Sequence, residues 1–348
     1  FIAWDIRAVL QKAKEFFEGT DIPWASFHTF RREAGTVALK KPPEKGPEDE
    51  DAPAVIRQCQ DEIDKQTEAA DEDESDTDRT GVFTGFVLLS KGEWDKQQFI
   101  RDMQEKWGIT VDEYSASEEK DDTALVFEVG DMLAAVSLAD CPIPDGEAEA
   151  NAENNYMWED AVKVAREHRA HILVAVLGKE KDLLEKGKLF TQVVAVCCRQ
   201  KYATGVYTSG VVFEPQFYEG FADMLKGDKL PIFNWIWFGL WRNEKGLNGY
   251  TYGMEAFGKD EVEVLDTDAD PYDLLDFLAS LASYVLENDV ELHDGETIGF
   301  TADDKRAITR SPGVGLPEEQ MTLKISWEPG GDPDGSGEND PDGERPVR

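Results

Sequence analysis

The sequence predicts an α+β fold in which residues 82–328 form one body built from two tandem ferredoxin-like (βαββαβ) halves. Three observations predict this fold. The order strand, helix, strand, strand, helix, strand can be read between residues 85 and 177. A similar order returns after a connecting helix, and segments of very different composition flank the body on both sides.

The first half begins with GFVLLS, a short apolar run typical of a buried strand. DKQQFIRDMQEKWGI follows with Phe99, Met103 and Trp107 four residues apart, which predicts an amphipathic helix. TALVFEV and MLAAVSL flank Gly130 and Asp131, a pair typical of a two-residue hairpin turn. The helix WEDAVKVAREH and the buried strand HILVAVL complete the half.

The second half follows the connecting helix DLLEKGKLFTQVVAVCC. GVYTSGVVF predicts a strand, FYEGFADML a helix, and PIFNWIWFGLW and GYTYGMEAFGKDEVEVLD further strands. PYDLLDFLASLASYVLEN predicts a helix with Asp270 as its N-cap and Pro271 at its first position. A hairpin around Asp294 and Gly295 and the strands KRAITRS and MTLKISW close the body.

Three further segments are predicted outside the body. Residues 1–40 read as a fragment of an upstream helix–hairpin unit, because the pattern of a short helix followed by a hairpin echoes the one near the end of the body; chance similarity is the alternative explanation. Residues 41–81 read as an acidic linker, and residues 329–348, rich in Gly, Pro and Asp, as a disordered tail.

The formal net charge of −37 limits the classes of partner. It argues against binding to the phosphate backbone of nucleic acids, which needs clustered Lys and Arg, and against anionic membrane surfaces. A basic protein partner is compatible with it, since opposite fields steer association. Part of the excess lies in residues 45–79, with fourteen acids and four bases, and solubility or a salt-adapted host are alternative explanations.

The four cysteines, Cys59, Cys141, Cys197 and Cys198, lack Cys-x-x-Cys spacing. They indicate buried thiols and a reducing, cytoplasmic compartment rather than a disulfide framework. No apolar run approaches the roughly 20 residues of a membrane-spanning helix.

The aromatic stretch PIFNWIWFGLW, residues 231–241, holds three of the nine tryptophans. It is too short to span a bilayer, and both of its faces are apolar, which predicts a central strand covered on each side. The alternative is an aromatic wall at a ligand cleft, with Trp235 and Trp237 on one face and Gly239 leaving a gap beside them.

Several motifs in the body resemble one bacterial family. They are Thr-x-Gly-x-x-x-Phe-Gly (Thr251, Gly253, Phe257, Gly258), Pro-Ile-Pro at 142–144, and Trp158. On these motifs, residues 83–327 are similar to Domain of Unknown Function 4261. The family has no established activity, so the resemblance implies a body boundary and no mechanism. The acidic, Asn-rich stretch DGEAEANAENNYM departs from the more hydrophobic family pattern.

If the protein has a small-molecule site, we expect it between the glycine-containing bend, the aromatic stretch and the Asn-rich loop. The predicted ligand-binding residues are Asn154, Asn155, Trp158, Trp235, Trp237, Thr251, Gly253, Phe257 and Gly258. The glycines also fit a purely structural tight bend.

Other clusters favour structural interpretations. His168 and His171 are predicted to cap or pack rather than bind metal, because the helix ends between them. The acids of the 145–160 loop lack calcium-loop spacing, and Cys197–Cys198 fits buried packing better than a redox pair. We therefore assign no catalytic or metal residue, and the cofactor stays open; a haem would find only poor axial ligands in the two histidines.

Two functions remain. The first is a non-catalytic protein-binding module with an acidic surface and aromatic anchors, which could be immunity-like. The alternative is an enzyme or sensor that binds a small ligand or cofactor in a cleft between the two halves.

Overall fold

The computed structural model describes residues 80–112, 123–178, 183–299 and 304–328. The predicted upstream fragment at 1–40, nearly all of the acidic linker and the tail at 329–348 lie outside these residues. The described chain separates into two compact units, which we call the first unit (80–222) and the second unit (223–328). It is a mixed α+β structure with two six-stranded sheets, which confirms the predicted fold class at that level.

The first unit contains one sheet and five helices. Its strands are β1 (Phe83–Leu89), β2 (Ala124–Val129), β3 (Met132–Ala139), β4 (Ala170–Leu177), β5 (Ala203–Thr208) and β6 (Val211–Phe213). Its helices are α1 (Lys96–Trp107), α2 (Glu147–Ala152), α3 (Ala161–Glu167), α4 (Leu183–Cys197) and α5 (Pro215–Ala222). The strand order is β2-β3-β4-β1-β5-β6, and every pair is antiparallel.

Local sequence explains the helices of this unit. Helix α1 begins at an N-cap, Asp95, whose side chain accepts a hydrogen bond from Gln98 N, and ends at Gly108, which has φ 69°. Its buried face includes Phe99 and Met103, as predicted. Helix α4 is buried along most of its length and packs on β4 and β1, so it covers one face of the sheet.

The sheet order differs from a ferredoxin-like half, although the element order from 83 to 177 is as predicted. In a split βαβ unit the two strands joined by the first helix run parallel with one strand between them. Here β1 and β2 run in opposite directions, with β4 and β3 between them. The tandem ferredoxin-like halves are therefore not confirmed.

The predicted strand GVYTSGVVF, expected to open the second half, is instead a hairpin in the first sheet. Ser209 and Gly210 both have positive φ, 51° and 65°, as the tightest hairpin turns require. The turn folds β6 back onto β5, and β5 pairs with β1. This pairing moves both strands into the first unit.

The second unit contains the other sheet. Its strands are β7 (Trp237–Arg242), β8 (Leu247–Tyr252), β9 (Val262–Thr267), β10 (Thr297–Ile298), β11 (Arg306–Pro312) and β12 (Met321–Ile325), in the order β10-β11-β12-β9-β8-β7. Only the β12–β9 pair among these is parallel. Helix α7 (Pro271–Glu287) packs on β8 and β7, and Asp270 caps it by accepting from Tyr272 N, as predicted.

The aromatic stretch is not one central strand. Residues Ile232–Trp235 form a short helix, α6, and only Trp237–Arg242 form a strand, β7, which lies at the edge of its sheet. The prediction of one central strand was wrong on both counts, because the first half of the stretch is helical and β7 pairs only with β8 among the described strands. The gap at Gly239 is filled by the ring of Tyr250, which lies 2.1 Å from where a Cβ would stand. Of the helices in the described ranges, none has the length and apolar character to cross a membrane.

Candidate functional site

The nine predicted ligand-binding residues fall into two groups. Asn154, Asn155 and Trp158 belong to the first unit, and the other six belong to the second unit. We describe each group within its own unit.

In the first unit, the Asn-rich loop is part of an acidic segment that we define as residues 140–160. The segment contains seven acids and no Lys or Arg. Six of the acids are exposed and Glu149 is half-buried. The exposed acids are Asp140, Asp145, Glu147, Glu153, Glu159 and Asp160. The segment therefore presents a dense negative charge to solvent.

The asparagines hold this segment on the sheet. Asn154 Nδ2 donates to Gly210 O over 3.0 Å, and Asn155 Nδ2 donates to Val212 O over 2.7 Å. The Asn155 side-chain oxygen also accepts from Met157 N. Since the amide groups of both side chains bond to the protein's own backbone, their observed role is to attach the segment to the β5–β6 hairpin.

A second attachment lies on helix α2. Tyr207 OH donates to Glu147 Oε1 over 2.5 Å and accepts from Asn151 Nδ2 over 3.0 Å. Beneath the helix, Ala148 and Ala152 are buried with apolar side chains of β1, β5, β6 and α3, and Trp158 packs against this cluster. The acidic segment is thus fixed by packing as well as by hydrogen bonds.

The two histidines have protein partners. His168 Nε2 accepts from Ile143 N over 2.8 Å, and its Nδ1 donates to Ala165 O. His171 Nδ1 bonds Cys141 O over 2.9 Å, and burial lowers the pKa of His171. In the described ranges no three His, Cys, Asp or Glu side chains are placed to share a metal ion. The histidines fix the Pro-Ile-Pro step, which agrees with the structural interpretation.

In the second unit, the six predicted residues come together around a loop that we call the 253–258 loop. Gly253 has φ 124°, and a Cβ there would lie 2.3 Å from Trp235 O. Phe257 packs on Trp235 with ring centroids 4.8 Å apart, and Gly258 ends the loop with φ 68°. Trp237 pairs with Tyr252 beside it. The glycines therefore form a tight bend with close backbone approach.

Gly253→Ala is expected to destabilise the second unit by at least about 2 kcal/mol, because the Cβ meets a backbone oxygen and the positive φ is strained. Gly295→Ala is the matched control, since Gly295 has φ 81° with nothing within 4 Å of the added Cβ. It should cost about 1 kcal/mol. Urea unfolding of both variants measures the difference, and equal losses would contradict the close approach at Gly253.

The sequence did not indicate Glu261, which organises this loop from within. Its side chain is 1% exposed. Oε1 accepts from Gly253 N (2.6 Å), Met254 N (2.8 Å) and Glu255 N (3.4 Å). Oε2 accepts from Thr251 Oγ1 over 2.6 Å, and Thr251 Oγ1 accepts in turn from Val262 N. The predicted motif residues Thr251 and Gly253 are thus both partners of one buried carboxylate.

The pKa of Glu261 is raised to about 7, mainly by burial and in addition by the negative charge of Glu255, against the lowering effect of the hydrogen bonds from Thr251 and the loop. The group therefore titrates near neutral pH.

A second buried glutamate, Glu263, holds another loop. It is 0% exposed and its Oε2 lies 3.0 Å from Lys324 Nζ, which is itself buried. The Glu263 carboxylate accepts from the three consecutive N–H groups of residues 314–316 and from Thr322 Oγ1. Lys324 also donates to Ser311 O and Pro312 O. Strand β9 and the residue before it thus anchor two loops through alternate glutamates.

Comparison with known proteins finds a match between residues 250–326 and a family model. No curated protein and no solved structure is significantly similar to this chain. The matched segment runs from the end of β8 through β12 and so contains the 253–258 loop, both buried glutamates and Lys324. Residues 250–326 match the family model described as Domain of unknown function (DUF4261), which confirms the predicted family resemblance over that segment.

Proposed function

We propose that the chain is a protein-binding module whose acidic segment, residues 140–160, receives a basic partner. The observation that carries this proposal is the concentration of seven acids without a base on a segment fixed to a sheet. Complementary charge accelerates encounter and selects against acidic competitors. A fixed surface also loses little conformational entropy when a partner binds.

The electrostatics of neighbouring groups support the same proposal. Glu214 lies half-buried just after β6, and its pKa is raised by burial and by the charge of Asp160. The acids of this region therefore repel one another. A cationic partner would relieve that repulsion, which is a source of binding energy that a neutral partner lacks.

We place this binding in the cytoplasm, and an immunity-like role, neutralising a basic toxin or effector, is the specific activity we propose. The three cysteines in the described ranges are all free, which suits a reducing compartment. The alternative small-ligand site has less support, because Trp235 and Trp237 are only 4% and 3% exposed.

Charge reversal tests the proposal. Glu153 and Glu159 are exposed acids of the segment, and Glu105 and Glu128 are exposed acids elsewhere in the same unit. The double variant Glu153→Lys/Glu159→Lys should lose at least about tenfold in affinity for partners captured from host lysate at low salt. Glu105→Lys/Glu128→Lys changes the net charge equally and should lose much less.

Binding would be measured by retention of the captured proteins on each immobilised variant as salt is raised. Equal losses in the two double variants would show that only the overall charge matters and would contradict a defined acidic site. Absence of any partner at low salt would contradict the proposed function itself.

A further inference from the structure

Glu261 is a buried ionisable group whose hydrogen-bond donors are all neutral. They are the Thr251 hydroxyl and the backbone N–H groups of Gly253, Met254 and Glu255. An ionised carboxylate in this position therefore carries a charge that its donors solvate without neutralising.

The charged groups near Glu261 either form ion pairs with other residues or carry a negative charge that repels an ionised Glu261. Lys324, the cation of β12, pairs with Glu263. Lys259 pairs with Asp289, and Arg310 with Asp260. The charge that acts directly on Glu261 is that of Glu255 in the loop, which is negative and itself accepts from Gln320 Nε2. Ionisation of Glu261 thus places two negative charges at the same loop.

The geometry provides a position for a proton. Glu261 Oε2 and Thr251 Oγ1 are 2.6 Å apart, and Thr251 Oγ1 also accepts from Val262 N. With a proton on Oε2, the carboxyl group donates to Oγ1 while Oε1 still accepts the N–H groups of the loop. Without it, the Thr251 hydroxyl donates to Oε2. The ionised state keeps all of these donors paired, whereas the protonated state takes away Oε2 as the acceptor of the Thr251 hydroxyl and in exchange removes the charge buried beneath the loop.

We propose that Glu261 and Thr251 form a proton-sensitive latch on the 253–258 loop. The protonated latch holds the loop closed over Glu261, with Phe257 packed on Trp235. Ionisation loosens the loop, because opening lets water reach the buried charge and separates it from Glu255. The device lies inside the segment that matches the family model and belongs to the second unit, whereas the acidic segment belongs to the first.

The transition falls in the neutral range. Because burial raises the pKa of Glu261 to about 7, the ionised fraction rises from about a tenth at pH 6 to about nine tenths at pH 8. Small changes of pH around neutrality would therefore change how readily the loop opens.

Hydrogen–deuterium exchange of the peptide covering residues 253–258 tests the latch. After correction for the intrinsic pH dependence of exchange, protection of the wild-type loop should fall about tenfold between pH 6 and pH 8. Glu261→Gln keeps an acceptor for the N–H groups and a donor for Thr251, and its loop should stay equally protected at both pH values.

Glu255→Gln provides a second readout in a protein with the latch intact. Removing the like charge should lower the midpoint of the wild-type transition by a few tenths of a pH unit, about the size of one partly screened charge. A wild-type loop equally protected at both pH values would overturn the latch. So would a Glu261→Gln loop that follows the wild-type curve, or a midpoint unmoved by Glu255→Gln.

Discussion

Replacing Lys324 with Met is expected to cost about 3–5 kcal/mol of the free energy of unfolding of the second unit. Lys324 Nζ lies 3.0 Å from Glu263 Oε2, and both side chains are buried. The substitution keeps the aliphatic volume but removes the ammonium partner of the buried Glu263 carboxylate. The backbone donors of residues 314–316 soften this charge without compensating it.

Two controls isolate the cause of that loss. Lys245→Met breaks an exposed ion pair between Lys245, whose side chain is 76% exposed, and Asp266. This substitution should cost less than about 1 kcal/mol. Adding Glu263→Gln to Lys324→Met removes the uncompensated charge and should recover part of the stability. Urea unfolding measures all three. A Lys324→Met loss no larger than that of Lys245→Met would contradict a buried ion pair.

The free energy of unfolding of the second unit is expected to decrease as pH rises from about 4.5 to about 7 through the titration of Glu261. The pKa of this carboxyl is raised from 4.5 to about 7. Between these values the folded state holds a proton that the unfolded state has released, so stability is greatest below pH 4.5 for this group. Its full contribution is about 3 kcal/mol.

Glu261→Gln should remove this part of the pH dependence, so its stability relative to wild type should increase with pH and level off above neutrality. Glu261→Ala is the contrasting variant. It leaves the N–H groups of residues 253–255 without their acceptor, so it should destabilise the protein at both ends of the range. Urea unfolding at pH 5, 6, 7 and 8 measures all three proteins, and parallel wild-type and Glu261→Gln curves would contradict the raised pKa.

The sequence predicted those elements whose signals are local. Helix α7 begins where Asp270 and Pro271 indicated, and α1 buries Phe99 and Met103 as their spacing indicated. Strand pairing was harder to predict from the sequence, because it depends on partners that are distant along the chain. The β5–β6 hairpin joins β1 more than a hundred residues away, and the turn at Ser209 and Gly210 does not show which sheet receives it.

The aromatic stretch shows why composition alone misled. An apolar run on both faces is common to a buried helix and a buried strand, and periodicity does not separate them in short segments. The structure divides the run at Ile236, between helix α6 and strand β7. Its burial followed from its composition, but its conformation did not.

The candidate site was predicted at the level of the bend but not of the carboxylate beneath it. Thr251 and Gly253 stood out as a motif, while Glu261 and Glu263 alternate with valines in the manner of a half-exposed strand. Their burial depends on the two loops that fold over them and on Lys324, sixty residues further along the chain. The local sequence around a glutamate does not show which distant residues will bury it or pair with it.

Binding of a basic protein to the acidic segment is tested most directly by hydrogen–deuterium exchange of the chain, alone and bound to a partner captured at low salt. We predict slower exchange in the bound state at α2, Glu147–Ala152, and through residues 153–160. Protection confined to residues 250–326, with the acidic segment unchanged, would contradict the claim and place recognition in the second unit.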